Sequence, residues 1–190
     1  MIPREGFLMK PSYAYLHGFL SGPSSSKGRH LAGQFQRFGV ELTRLDLNGA
    51  DGPPGLTHEG AFAAVDAFWH THSSPLRLVG SSFGGWAAAA YAERHPERVD
   101  RLLLLCPGFG LADRLQDVIG GPEAMSRWEV DGERTFAMPS SGATMCIPWK
   151  FAATARQQPA FPQPQCRTLV IHGQDDEGAP FRHWPCAHPG

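Results

Sequence analysis

Five residues, Gly80-Ser81-Ser82-Phe83-Gly84, constrain this chain more than any others. They lie between an apolar run at 76–79 and an alanine-rich stretch, Trp86-Ala87-Ala88-Ala89-Ala90-Tyr91, so the segment reads as strand, sharp turn and helix. A serine at the centre of such a turn is pushed outward at the top of a sheet with its hydroxyl exposed. Small residues two positions to either side let the flanking backbones pass closely. In a chain with 22 glycines the bare G-x-S-x-G pattern is weak, and its weight comes from the strand before it and the helix after it. Ser82 is therefore the candidate nucleophile.

The rest of the chain repeats the same alternation. Strand-like runs at 13–16, 40–45, 76–79, 102–105 and 168–171 alternate with helical patterns, which predicts an α/β fold with a mostly parallel sheet covered by helices on both faces. The first helix is expected over 27–38, with Leu31, Phe35 and Phe38 on one face. The second is expected over 59–70, with Phe62, Val65 and Trp69 inward. The Pro/Gly cluster at 49–55 reads as a loop. A long insertion, 108–165, separates the fourth and fifth strands and carries Trp128, Phe136, Trp149 and Phe151.

Three segments in order, Tyr15-Leu16-His17-Gly18-Phe19, Gly80 to Gly84 and Ile171-His172-Gly173-Gln174-Asp175-Asp176, resemble the landmarks of an α/β-hydrolase. The run from Tyr15 to Lys27, with Leu78-Val79-Gly80-Ser81-Ser82-Phe83-Gly84-Gly85, is similar to small bacterial serine esterases of the YqiA type. The resemblance covers roughly residues 12–177 of one α/β-hydrolase domain spanning 1–190. It implies a serine hydrolase of carboxylesterase or thioesterase type, acting on a small-molecule ester or thioester through an acyl-enzyme on Ser82. Oxyanion donors would be the backbone amides of Phe83 and Phe19, with His17 bracing its loop rather than serving as base. Asp176 would be the acid, selected over Asp175 by the H-G-x-x-D pattern, with Ala179-Pro180 continuing it. The insertion would form a lid, with Trp128 and Trp149 as candidate substrate-binding residues.

A serine hydroxyl attacks only when a histidine takes its proton, and a carboxylate must orient that histidine. The resemblance implies a base beyond a further strand, but the chain ends 14 residues after Asp176. The stretch 178–190 is broken by prolines and reads as an irregular tail. Its two histidines, His188 and the alternative His183, are the candidates for the base. The expectation is that the last strand and helix are missing, through a frameshift or premature end of the reading frame. The run 168–171 would then be an exposed edge open to self-association. A second reading follows: a catalytically impaired α/β-hydrolase-like scaffold without its triad histidine, binding a ligand or non-functional.

Composition narrows the classes. A net charge of −1 and the absence of a basic run argue against nucleic-acid or membrane-surface partners. Only Lys10, Lys27 and Lys150 are lysines and there is no G-x-G-x-x-G or Walker pattern, so a nucleotide cofactor is not expected. Serine at the centre of the turn excludes an aspartate-nucleophile dehalogenase or epoxide hydrolase at this position. Residues 1–10 lack an apolar leader core and no long apolar stretch exists, which predicts a soluble cytoplasmic protein. Cys106, Cys146, Cys166 and Cys186 form no C-x-x-C pair, and His70 and His72 would not share a helix face, so no metal and no cofactor are expected. Cys106 reads as a buried small hydrophobe.

Overall fold

The central sheet has five parallel strands, β1 (Ser12–Leu16), β2 (Leu42–Leu45), β3 (Leu76–Ser81), β4 (Val99–Leu105) and a last strand over Arg167–Ile171, in the order β2-β1-β3-β4-last. The structure is a computed structural model and describes residues 9–49, 55–138 and 142–176. Side chains alternate across the strands, as a pleated sheet requires. Ala14, Leu16, Leu76, Leu78, Leu102 and Leu104 fill the larger core on one face, and Tyr15, Leu42 and Val79 form a second cluster on the other. Because both faces of the inner strands are covered, those strands read as nearly continuous apolar runs.

Helix α1 (Ser26–Gln36) covers the smaller cluster, where Leu31 and Phe35 pack. Its start is fixed by Ser25, whose Oγ accepts from the Gly28 amide at 3.2 Å. Phe38 was expected on its inner face, yet the helix stops at Gln36 and Phe38 stands 83% exposed. Helix α2 (His58–His72) and helix α3 (Phe83–Arg94) cover the other face. Thr57 caps α2, its Oγ1 accepting from the Gly60 amide at 2.9 Å. Ala87 to Ala90 on α3 are fully buried, so the alanine run lets this helix lie close against the sheet.

Residues 108–165 form an organised insertion of helices α4 (Leu111–Val118) and α5 (Pro122–Asp131), an antiparallel hairpin of β5 (Glu133–Ala137) and β6 (Thr144–Pro148), and helix α6 (Trp149–Ala155). Proline opens α5 and Gly132, at φ 74°, closes it, the usual asymmetry of helix ends. Trp128, Ile147 and Phe151 are buried and belong to the larger core, so the insertion is packed onto the sheet domain. The chain then enters β7 (Arg167–Ile171), which pairs with β4 and forms an edge of the described sheet. Leu169, Val170 and Ile171 are 61%, 36% and 54% exposed there. Among the described residues no helix is long and apolar enough to cross a membrane.

Candidate active site

Register brings the carboxyl ends of the inner strands level: Leu16 lies opposite Gly80, Ser81 opposite Leu105, and Leu105 opposite Ile171. Ser82 follows β3 at this rim with φ 52° and ψ −120°, a conformation that a side chain ordinarily avoids. Backbone bonds hold it there. Its amide donates to Leu105 O at 3.0 Å, and its carbonyl accepts from Gly85, Trp86 and Gly108. The flanking glycines are required by close approach: a Cβ on Gly84 would stand 2.2 Å from Leu16 O, and one on Gly80 would stand 2.3 Å from Gly84 O. No other residue type lets β1, β3 and α3 converge this tightly.

The β1–α1 loop closes on the same point. A Cβ on Gly18 would lie 3.2 Å from Ser82 Cβ and 3.8 Å from Ser82 Oγ, so the loop backbone borders the hydroxyl. His17 is fully buried and braces the loop: its Nε2 accepts from the Leu47 amide at 3.1 Å and its Nδ1 lies 2.9 Å from Gly18 O. Since Nε2 is an acceptor, the proton sits on Nδ1, and the 3.8 Å approach of Asp46 Oδ1 to Nε2 is not an ion pair. Burial pushes the His17 pKa down, which keeps the ring neutral and committed to this brace. Lys27 adds a further tie, Nζ donating to Ser81 Oγ at 2.9 Å. The amides of Phe19 and Phe83 donate to no other described residue.

Behind this rim lies an aromatic cluster. A cavity of about 20 Å³, room for roughly one water, is lined by His58, Phe83, Trp86, Gly108, Leu111 and Phe151 among others. His58 is buried, stacks on Phe151 at 4.7 Å and 14°, and meets Phe83 and Trp86 edge-on. Burial drives its pKa down to about 4, with Glu59 opposing and Arg94 reinforcing that shift. Thr154 Oγ1 donates to Lys150 O and accepts the His58 Nδ1 proton at 3.0 Å, leaving the His58 Nε2 lone pair unprotonated. Nothing in the local sequence marks His58 or Phe151, because they meet Phe83 only through tertiary packing.

The remaining expected site residues fall in different places. Trp128 is 1% exposed inside the insertion, with Nε1 donating to Ile147 O at 2.9 Å, so it offers no surface to a ligand in this conformation. Trp149 is partly buried edge-on against it. Asp176 is half-buried beyond β7, its amide turning back to Gly173 O at 3.3 Å, whereas Asp175 is exposed. Ser82 and Asp176 follow strands separated by β4, a gap of about 10 Å between strand axes. His183, His188 and Cys186 lie outside the described residues, as do Ala179 and Pro180. Cys106 is a correction: it is half-buried, not buried, at φ 44°, with its amide bonded to Ile171 O at 2.8 Å.

A five-stranded parallel sheet with this order, helices on both faces and a strained serine at a strand–helix turn is the α/β-hydrolase fold. Residues 12–184 match the uncharacterised protein family UPF0227, and the chain belongs to that family. It is 31% identical over 183 residues to monoacylglycerol lipase abhd6-B of Xenopus laevis, covering 92% of this chain and 51% of that protein. It is 32% identical over 107 residues to human monoacylglycerol lipase ABHD6, covering 52% of this chain and 31% of that one. The chain thus spans about half the length of the Xenopus relative. Among solved structures, mouse alpha/beta hydrolase domain-containing protein 10 superimposes with a TM-score of 0.68 at 26% identity, over 90% of this chain and 72% of that one. The monoacylglycerol lipase of Paleococcus ferrophilus gives a TM-score of 0.66 at 16% identity, over 90% and 77%, which shows the shared fold.

Proposed function

We propose that this protein is a serine hydrolase that cleaves carboxylic esters or thioesters through an acyl-enzyme on Ser82. The observation that carries the reading is the strained turn at Ser82 with the Gly18 loop against its hydroxyl. Backbone strain of this kind persists only where surrounding structure imposes it, and here it supports a reading of Ser82 as a serine held at the sheet's carboxyl rim beside the Gly18 loop. Attack of Oγ on the substrate carbonyl places negative charge on its oxygen. The unengaged amides of Phe83 and Phe19 are the donors that would receive it. His188, or His183 in its place, takes the serine proton and passes it to the leaving alcohol or thiol, and Asp176 orients and stabilises the imidazolium. Water then repeats the attack on the acyl-enzyme. The names of the relatives suggest ester substrates, and the insertion serves as a lid that excludes water.

The test is labelling of the purified chain by a fluorophosphonate, with Ser82→Ala as control, followed by turnover of p-nitrophenyl acetate and butyrate. Rapid labelling abolished by Ser82→Ala supports an activated serine. Folded protein that shows no Ser82-dependent labelling refutes it and leaves the impaired scaffold.

A further inference from the structure

We infer that Phe151, on the first turn of α6, is the positioning residue through which the insertion sets the two oxyanion donors, an inference that rests on the serine-hydrolase reading above. The two proposed donors, Phe19 in the loop after β1 and Phe83 at the start of α3 after β3, come from segments following different strands, and their amides must point at one spot. Their side chains meet on a single ring. Phe151 stacks on Phe19 at 5.1 Å and 25°, and packs against Phe83 at 5.4 Å and 58°. It is fully buried, so its position is dictated by packing rather than by solvent.

The ring is itself held from behind. His58, on the first turn of α2, stacks on Phe151, and its Nδ1 meets Thr154 Oγ1 one turn further along α6 at 3.0 Å. The sheet domain thus grips α6 by a stacked ring and a hydrogen bond on the same helix. Phe136 of the hairpin closes the outer side of Phe19 edge-on at 5.7 Å. Removing one ring from this layer lets the Phe19 and Phe83 side chains settle toward each other, and their amides follow. A displacement of a fraction of an ångström matters at an oxyanion and hardly at all for ground-state binding.

The experiment compares the full chain with Phe151→Leu and Phe151→Met, the second chosen because an unbranched thioether refills an aromatic void with less strain. Phe161→Leu is the control, since Phe161 packs edge-on against Phe109 elsewhere in the insertion. Each protein is checked for folding by circular dichroism. The readouts are kcat and KM for p-nitrophenyl acetate and the inhibition constant of a short alkyl trifluoromethyl ketone, whose adduct places an alkoxide in the oxyanion position. The inference expects kcat to fall by about 10- to 100-fold in a folded Phe151 variant, with KM within about twofold and the ketone weakened by the same factor as kcat. Phe161→Leu should move neither. Unchanged kcat and ketone affinity in either folded Phe151 variant overturns the inference alone, as does an equal loss in Phe161→Leu. Failure of both Phe151 variants to fold also overturns it, since the ring would then be only a structural core residue. Absence of Ser82-dependent fluorophosphonate labelling in the parent chain refutes the serine-hydrolase reading and the inference together.

Discussion

Replacing Ser82 by glycine should stabilise the fold, while replacing it by alanine should not. With φ 52° and ψ −120°, Ser82 occupies a region open to glycine and costly for any residue carrying a Cβ, by about 1–3 kcal/mol. Its side chain makes no capping bond to α3, so removing Oγ costs no helix-end hydrogen bond. Alanine keeps the Cβ and hence the strain. Glycine releases the strain but gives the unfolded chain more freedom, which costs about 0.4–1 kcal/mol. The net gain for Ser82→Gly over Ser82→Ala is therefore about 1 kcal/mol, or roughly 3 °C in Tm for a chain of this size. Thermal unfolding of both variants by circular dichroism, under identical conditions, measures it. A glycine variant that melts at or below the alanine variant would refute the claim that this turn stores strain at the serine.

Gly84→Ala should unfold or severely destabilise the protein, by at least about 3 kcal/mol, because its Cβ would press on two backbone oxygens, Leu16 O at 2.2 Å and His17 O at 2.4 Å; a urea midpoint shifted by little would contradict the close packing of α3 against β1. His58 should make the fold acid-sensitive. Its pKa is about 4 in the folded protein against about 6.5 unfolded, so only the unfolded chain takes up the proton in that interval. Its contribution is complete above pH 6.5 and declines by about 3 kcal/mol as the pH falls to 4. In urea titrations across that range His58→Phe should lose less stability than the parent chain, and equal losses would show that His58 is not buried neutral. Exposed Leu169 and Val170 on β7 should promote association of the chain with itself, seen as concentration-dependent sedimentation. Lysine at both positions should abolish that dependence, and a parent chain that stays monomeric over the full concentration range would argue against an open edge.

Strands were legible in this sequence as short apolar runs, though their ends moved: β2 begins only at Leu42, two residues inside its expected run, while the others extend beyond theirs. β3 extends through Gly80 and Ser81, and β4 begins back at Val99, because backbone pairing continues past the last apolar side chain. Phe38 shows the limit of periodicity: it keeps the spacing of Leu31 and Phe35, yet Gly39, at φ 69°, turns the chain after the helix has already ended. The insertion read as a long excursion without elements. Its helices are short, and its placement on the sheet domain rests on tertiary packing of residues such as Trp128, Ile147 and Phe151 in the larger core, which local pattern does not reveal. The tight turn at Ser82 was visible since close backbone approach demands glycine at 80 and 84. Phe151 was visible only as one of four insertion aromatics and His58 not at all, because any large ring fills such a layer and only the fold decides which one does.

The proposed site divides into two halves with different physical origins. Its electrostatic half is built from backbone: the two amides, the loop locked by His17, and the turn that Gly80 and Gly84 make possible. Backbone dipoles fixed by a packed core need no reorganisation when charge develops, which is the condition for oxyanion stabilisation. In the proposed mechanism the proton-transfer half depends on single side chains: Asp176 beyond β7 and a histidine to stand between it and Ser82. These halves should fail separately. Loss of the histidine leaves the oxyanion donors in place and residual catalysis over water, about 10³- to 10⁴-fold in comparable triads. Displacement of the donors leaves an activated serine that still reacts with a phosphonate but turns over slowly. Measuring labelling rate and turnover on the same variants therefore tells which half a substitution has touched.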